Sequence, residues 1–334
     1  MKPRIALIPA GGTISSRSSA EGAAPLPGSG EDLLRRIPDL GVEISLQEPV
    51  TQKGSAHLVP EDWTRIAEAT AAALDSGTDG VVILHGTDTI HYTAAALSFM
   101  LQDLARPVVL TGSMIPGGDA GSDAPFNLEN AVEVAARGDV AEVCIVFSAD
   151  ARRSRGVILR GNRARKVHSL AINAFASINL MPLGYITKGR IVFTKVQRRK
   201  RGKGRVRLCS KLDPRVVLVK HNPALTPDML RRFLEGASGA VIEGTGAGHL
   251  RADLLWVIAS FPGPVIVTTQ AIWGGVKWGL YASDRAYAET THLLPGGDMT
   301  GETALVKLMW ALGQGVDIQE TMLTSVAGEL REPS

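Results

Sequence analysis

Short apolar runs alternate along this chain with longer stretches in which apolar residues recur three or four positions apart. The runs at 5–9, 42–46, 80–85, 107–111 and 143–147 have the length and β-branched content of buried strands. Between them, 60–74, 88–104 and 123–136 carry helical spacing. Pro60 followed by Glu61 and Asp62 suits a helix start. Proline has no N–H to leave unsatisfied there, and acids complement the positive end of the helix dipole. Strand–helix alternation of this kind predicts a mostly parallel sheet covered by helices.

The rhythm breaks near Leu183. The segment 186–213 is rich in Lys and Arg and predicts a charged, hairpin-rich connector. After Pro214 the alternation resumes on a smaller scale, with strands at 216–219, 239–242 and 264–268 and helices at 227–234, 252–261 and 301–312. The predicted fold class is α/β, with two open-sheet α/β domains. A larger N-terminal domain, 1–185, has a mostly parallel sheet, and a smaller C-terminal α/β domain occupies 214–334. No internal repeat is visible, and 334 residues suit two domains.

Composition adds limits. A hydrophobic content of 45% with 36 Gly and 18 Pro is that of a globular chain with many turns. A net charge of +3 is too small to imply a nucleic-acid surface by itself. Cys144 and Cys209 match no metal or redox spacing, so free thiols in a reducing compartment are expected. The first apolar run ends at the glycines 11 and 12, too soon for a signal peptide, and no run approaches the ~20 residues of a membrane span. A soluble cytoplasmic protein is the expectation.

In open parallel sheets, ligands sit beyond the carboxyl ends of strands. Four turns at such ends carry chemistry: 10–15, 85–90, 111–116 and 243–249. In "AGGTI", Gly11 and Gly12 allow a sharp turn and close approach to a ligand, and Thr13 adds a hydroxyl. An incidental threonine in a plain turn fits equally. A dinucleotide loop does not, because the G-x-G-x-x-G spacing is absent. In "HGTDTIHYTAAAL", Thr87, Asp88 and Thr89 open a helix. Helix capping accounts for them, yet they also place a second hydroxyl and a carboxylate at a strand end. Nucleophilic catalysis by a hydroxyl needs a base and a group that holds the base. No Ser-His-Asp order and no G-x-S-x-G elbow is evident. The seven histidines have no metal-ligand spacing. A lysine of lowered pKa beside another hydroxyl is one remaining source of the base. Spacing alone leaves Lys166 a solvated lysine in a basic loop.

These two motifs, with "PVVLTGSMIP", "SDAPFNLENAVEVAA", "RGNRARKVHS" and "GGDMTGETALVKLMWALG", resemble the bacterial-type L-asparaginase family over nearly the whole chain. The resemblance implies that Thr13 is the primary nucleophile and that Thr87, Asp88 and Lys166 form a second catalytic group. It implies that Gly54 and Ser55 bind substrate together with Thr87 and Asp88. Ser55 would grip the α-carboxylate and Asp88 the α-amino group, while backbone N–H groups near Thr13 and Thr87 meet the oxyanion. The substrate would be L-asparagine, with L-glutamine as the alternative amide. No cofactor and no metal is implied. A homodimer or homotetramer is, with His249 and Glu302 as candidates for residues contributed across the interface.

Two departures qualify the likeness. Many members carry a tyrosine on a mobile lid after the nucleophile. Here 17–30 contains none, and Ala23 or Ala24 holds the place. This segment is still expected to move and to close over Thr13. In "IEGTGAGHL" the form around His249 is similar to the asparaginase-like subunit of archaeal glutamyl-tRNA(Gln) amidotransferases. That subunit normally has an extra N-terminal domain, and Thr13 lies too close to the start of this chain for one, so a free-standing relative is expected. An ammonia-producing amidotransferase subunit is one alternative function, and a weakly active amino-acid-binding regulator is another. The run "KVQRRKRGKGRVR" could touch RNA phosphates. With Phe193 as its one neighbouring aromatic, it is taken instead as an exposed charged hairpin, and neither nucleic acid nor membrane is an expected partner.

Overall fold

The structure, a computed structural model, describes residues 1–12, 16–19, 22–25, 29–279 and 284–331, with the backbone alone for 16–19, 22–25, 29–30 and 32. The chain divides into two compact units, Met1–Ser210 and Lys211–Ser334. The segment 186–213 is thus not separate. It belongs to the first unit as far as Ser210 and to the second from Lys211.

In chain order the first unit contains β1 (Arg4–Pro9), β2 (Ser16–Ser19), β3 (Gly22–Pro25), α1 (Ser29–Leu34), β4 (Glu43–Leu46), α2 (Pro60–Asp75), β5 (Gly80–Leu84), α3 (Ile90–Met100), β6 (Leu101–Gln102) and β7 (Val108–Thr111). It continues with α4 (Ala124–Arg137), β8 (Val143–Ser148), β9 (Gly156–Arg160), β10 (Ala164–Lys166), β11 (Phe175–Ser177), β12 (Gly184–Thr187), β13 (Arg190–Phe193) and β14 (Arg207–Leu208). Its main sheet has eight strands in the order β13-β12-β9-β8-β7-β5-β1-β4. The five from β4 to β8 run parallel, and β9, β12 and β13 are added antiparallel. The register pairs Pro9 with Leu84 and Leu84 with Thr111, so β1, β5 and β7 end at one edge.

The sequence of β5, Gly-Val-Val-Ile-Leu, is buried throughout, as a central parallel strand with two covered faces requires. On one face, Leu128, Ala131, Val132 and Ala135 of α4 form a core with Val82, Leu84, Val109 and Val146. Nearly every residue of α3 is buried, so this helix is apolar all round. It stops at Met100, short of the predicted 104, because Leu101 and Gln102 pair instead with Arg207 and Leu208.

The second unit contains β15 (Val216–Lys220), α5 (Pro227–Leu234), β16 (Gly239–Gly244), α6 (Ala252–Ser260), β17 (Val265–Thr269), α7 (Arg285–Glu289), β18 (Leu293–Pro295), α8 (Gly301–Gln314) and α9 (Ile318–Leu323). Its sheet, β15-β16-β17-β18, is parallel throughout. Leu230, Leu234, Leu254 and Ile258 of α5 and α6 pack with Ile242 and Val267. The α/β class with two open sheets, the larger mostly parallel, is therefore the fold observed. Among the described residues, no helix is long and apolar enough to cross a membrane.

Candidate active site

Three backbone turns converge at the carboxyl edge of the larger sheet. Ala10 N donates to Leu84 O at 2.8 Å and locks the end of β1 to β5. Gly11 and Gly12 then take φ of +78° and +90°. A Cβ on Gly11 would stand 2.2 Å from the carbonyl oxygen of Lys53, and one on Gly12 would stand 2.2 Å from both Cα and N of Gly86. Gly86 is crowded in turn, since a Cβ there would lie 2.6 Å from Ser55 Oγ. The glycine pair is required both by backbone conformation and by close approach of neighbouring main chain. Thr13, the next residue, lies outside the described residues.

The turn after β5 carries the second hydroxyl. Thr87 is buried, and its Oγ1 accepts a hydrogen bond from Lys166 Nζ at 2.9 Å. The same nitrogen donates to Asp88 Oδ1 at 2.7 Å. Lys166 ends β10, which pairs with β11, and its side chain is 13% exposed against 64% for Asp88. The lysine is thus a sheltered donor with one hydroxyl and one solvent-facing carboxylate in reach. Ser55, at the start of a short 3-10 turn whose N-cap is Gly54, is buried. Its Oγ accepts from Asp88 N at 3.2 Å, and its carbonyl accepts from Thr89 Oγ1 at 2.7 Å. The structure therefore brings Gly54, Ser55, Thr87, Asp88 and Lys166 into one cluster.

Supporting residues that sequence reasoning did not single out hold these turns. His85 is fully buried. Its Nδ1 lies 2.7 Å from Gly86 O and its Nε2 2.9 Å from Thr93 Oγ1. Burial, with a smaller contribution from His91, lowers its pKa to about 4 against the opposing Gly86 carbonyl, so the ring is neutral. A neutral ring facing a carbonyl carries its proton on Nδ1 and accepts the Thr93 hydroxyl at Nε2. Asp62 caps Val59 N at 3.0 Å and receives Lys53 Nζ at 2.8 Å, fixing both ends of the stretch that holds Ser55. Its carboxyl is held below the usual range, burial opposing the bonds from Lys53 and Val59 and the charges of Lys53 and Arg65. Asp123, also fully buried, accepts from Met114 N, Ile115 N and Asn127 Nδ2 and shapes the turn after β7. The available signals were an imidazole at the end of the apolar run of β5 and acids at the starts of α2 and α4.

His249 and Glu302 belong to the second unit. His249 Nε2 lies 3.4 Å from Asp284 Oδ1, near the Tyr287 ring, and Glu302 is buried in the first turn of α8. Among the described residues, no group of three or more His, Cys, Asp or Glu could hold a metal ion.

Two family models match: asparaginase, N-terminal, over residues 4–199, and glutaminase/asparaginase C-terminal domain, over 215–322. A Pyrococcus furiosus protein named as a subunit of glutamyl-tRNA(Gln) amidotransferase is 40% identical over 339 residues, covering 98% of this chain and 77% of that relative. A Thermococcus kodakarensis protein named L-asparaginase is 39% identical over 340 residues, covering 98% and 99%. The solved structure of the thermostable L-asparaginase from Thermococcus kodakarensis superimposes with a TM-score of 0.89 at 37% identity, covering 99% of this chain and 100% of that one. With matches this extensive on both units, the chain belongs to the asparaginase family of amidohydrolases.

Proposed function

We propose that this chain hydrolyses L-asparagine to L-aspartate and ammonia through a threonine acyl-enzyme. The observation that carries the reading is the placement of Lys166 Nζ on Thr87 Oγ1 and Asp88 Oδ1 next to the turn at Gly11 and Gly12. In this reading, Thr13 Oγ attacks the side-chain amide carbon. The hydroxyl proton passes through the Thr87–Lys166 network to the departing nitrogen. Ammonia leaves, and an ester to Thr13 remains. Water then adds to the ester carbon and a proton returns to Thr13 Oγ. Asp88, exposed but oriented by Lys166, meets the α-ammonium group, and Ser55 meets the α-carboxylate. Main-chain N–H groups of the two turns stabilise the oxyanion.

The test is ammonia release by the purified chain, alone, from L-asparagine and from L-glutamine. Steady release from L-asparagine is expected, with Thr13→Ala slower by several orders of magnitude. Lys166→Met should lose ~10²–10⁴ in kcat, the usual range for a proton-transfer group. A wild-type rate equal to the Thr13→Ala background refutes the proposal. The Pyrococcus furiosus relative motivates a second reading, an ammonia-producing subunit of a tRNA-dependent amidotransferase. Release that begins only when a partner subunit and tRNA are added favours it.

A further inference from the structure

Charge is unevenly distributed along this chain. Eleven of its 36 Lys and Arg fall from Lys188 to Lys211, where there is no Asp or Glu. Over the rest of the sequence, acids outnumber Lys and Arg by 33 to 25. Such segregation is the compositional mark of a surface for a polyanion.

The fold sorts these cations into two sets. Arg201 turns inward, its guanidinium donating to the carbonyls of Gly138, Asp79 and Ala135, and its own N–H donates to Asp139 Oδ1. Arg198 donates to Asp139 O at 2.9 Å and lies 3.9 Å over the Phe193 ring. The backbone is fastened as well. Arg199 N donates to Glu142 Oε1, Arg199 O accepts from Ala141 N, and Gly202 O accepts from Arg106. Lys195, Arg199, Lys200, Lys203 and Arg205 are left exposed, and none has a carboxylate partner among the described residues. Arg207 is discounted because Asp103 pairs with it at 3.1 Å. Asp75 shares a small cleft of about 190 Å³ with Arg106 and Arg205. The fastening points Asp79, Arg106 and Asp139 precede β5, β7 and β8, so this strap crosses the edge of the sheet opposite the catalytic turns.

We propose that the strap 195–205 is a binding surface for the phosphate backbone of a folded RNA. Its outward cations ride on a backbone already held in place, so little main-chain order has to be gained on binding. Extended backbone from 199 to 205 spans about 20 Å, enough to follow several phosphates, whose charges recur about every 3.4 Å of helix axis on each strand of a DNA duplex. Phe193 lies under Arg198 and packs against the core, and 195–205 contains no aromatic residue, so the strap itself offers no stacking platform. The cations engage phosphate, and recognition is of charge and shape. A bilayer fits less well: Val196, the one apolar residue of 195–205, packs on the core, and the exposed Val192 and Leu208 lie outside the strap.

The test is fluorescence anisotropy of a labelled tRNA transcript at about 50 and 200 mM salt, the range over which phosphate binding weakens most. The variant combines Arg199→Ser, Lys200→Ser, Lys203→Ser and Arg205→Ser and keeps Arg198 and Arg201. A control of equal charge combines Lys2→Ser, Arg152→Ser, Lys220→Ser and Arg232→Ser. Wild type and control should bind with steep salt dependence. The strap variant should bind at least about tenfold more weakly, with a log–log salt slope shallower by roughly 0.7–0.9 for each phosphate no longer neutralised. Its ammonia release from L-asparagine should match wild type, which shows that it is folded. Absence of wild-type binding at the lower salt overturns the proposal, as does equal weakening by the control. Tighter wild-type binding to vesicles of phosphatidylserine and phosphatidylcholine than to the RNA also overturns it, in favour of a membrane.

Discussion

At the scale of single residues, the site rests on exclusions as much as on functional groups. Gly12 and Gly77 both have φ near +90°, but the Gly12 Cβ position is filled by the Gly86 backbone while nothing lies within 4 Å of that of Gly77. Gly77→Ala should therefore cost only the left-handed strain, ~1–2 kcal/mol. Gly12→Ala should cost at least about 2 kcal/mol more, because main chain must move. Denaturant midpoints for the pair measure the difference, and equal losses would show that close approach is not what excludes a side chain at Gly12. The two turns that meet here were visible in the sequence as glycine and Thr-Asp clusters at strand ends. Lys166 was not, since it reaches Thr87 from 79 positions away. Only family resemblance brought it forward. Nothing in local spacing records a contact of that range, whereas the buried carboxylate of Asp123 has partners only four to nine positions away and went unread because it precedes a helix, where a solvated cap is the ordinary reading.

At the scale of elements, hydrophobic period located most of the parallel strands and their covering helices to within a few residues, while the three-residue β18 escaped. The strand β9 escaped although it is as long and as buried as β5, because it follows β8 with no helix between them, and β12 and β13 were legible only as part of a charged, hairpin-rich segment. The end of the chain shows another contact that pattern cannot report. Lys307, within an otherwise apolar face of α8, is fully buried and bonds Glu329 Oε1 at 2.5 Å and Thr324 O at 2.6 Å. Glu329 also accepts from Val326 N and Ala327 N. Desolvation lowers the lysine's pKa, and the Glu329 charge opposes it. Glu329→Gln would leave that ammonium without its counter-charge, at a cost on the order of 3–5 kcal/mol. Lys307→Met combined with Glu329→Leu should recover most of the loss. Urea unfolding of both variants decides it, and a double variant as unstable as the single would refute the account.

At the scale of the molecule, both stability and assembly depend on how the larger sheet is closed. His85 has an ordinary pKa near 6.5 when unfolded and about 4 when buried. Between those values the unfolded chain binds a proton that the folded chain does not. The contribution is complete above about pH 6.5 and is lost as pH falls toward 4, at up to ~1.4 kcal/mol per unit. Unfolding free energy of the first unit should fall by about 2 kcal/mol from pH 7 to pH 5, before most carboxylates titrate. A flat profile across that interval would show that His85 is not held neutral. The position of β1 in the sheet has a kinetic consequence. It is the first strand of the chain, yet it lies between β4 and β5, and its partners begin at Glu43 and Gly80. Parallel pairing over such separations is closed late, because the loop entropy comes before the contact. A ribosome has therefore made the glycine turn long before it has made the strand that fastens it. The edge that carries the candidate site is synthesised well before β5, the strand that fastens it, and is among the last parts of the first unit to be secured.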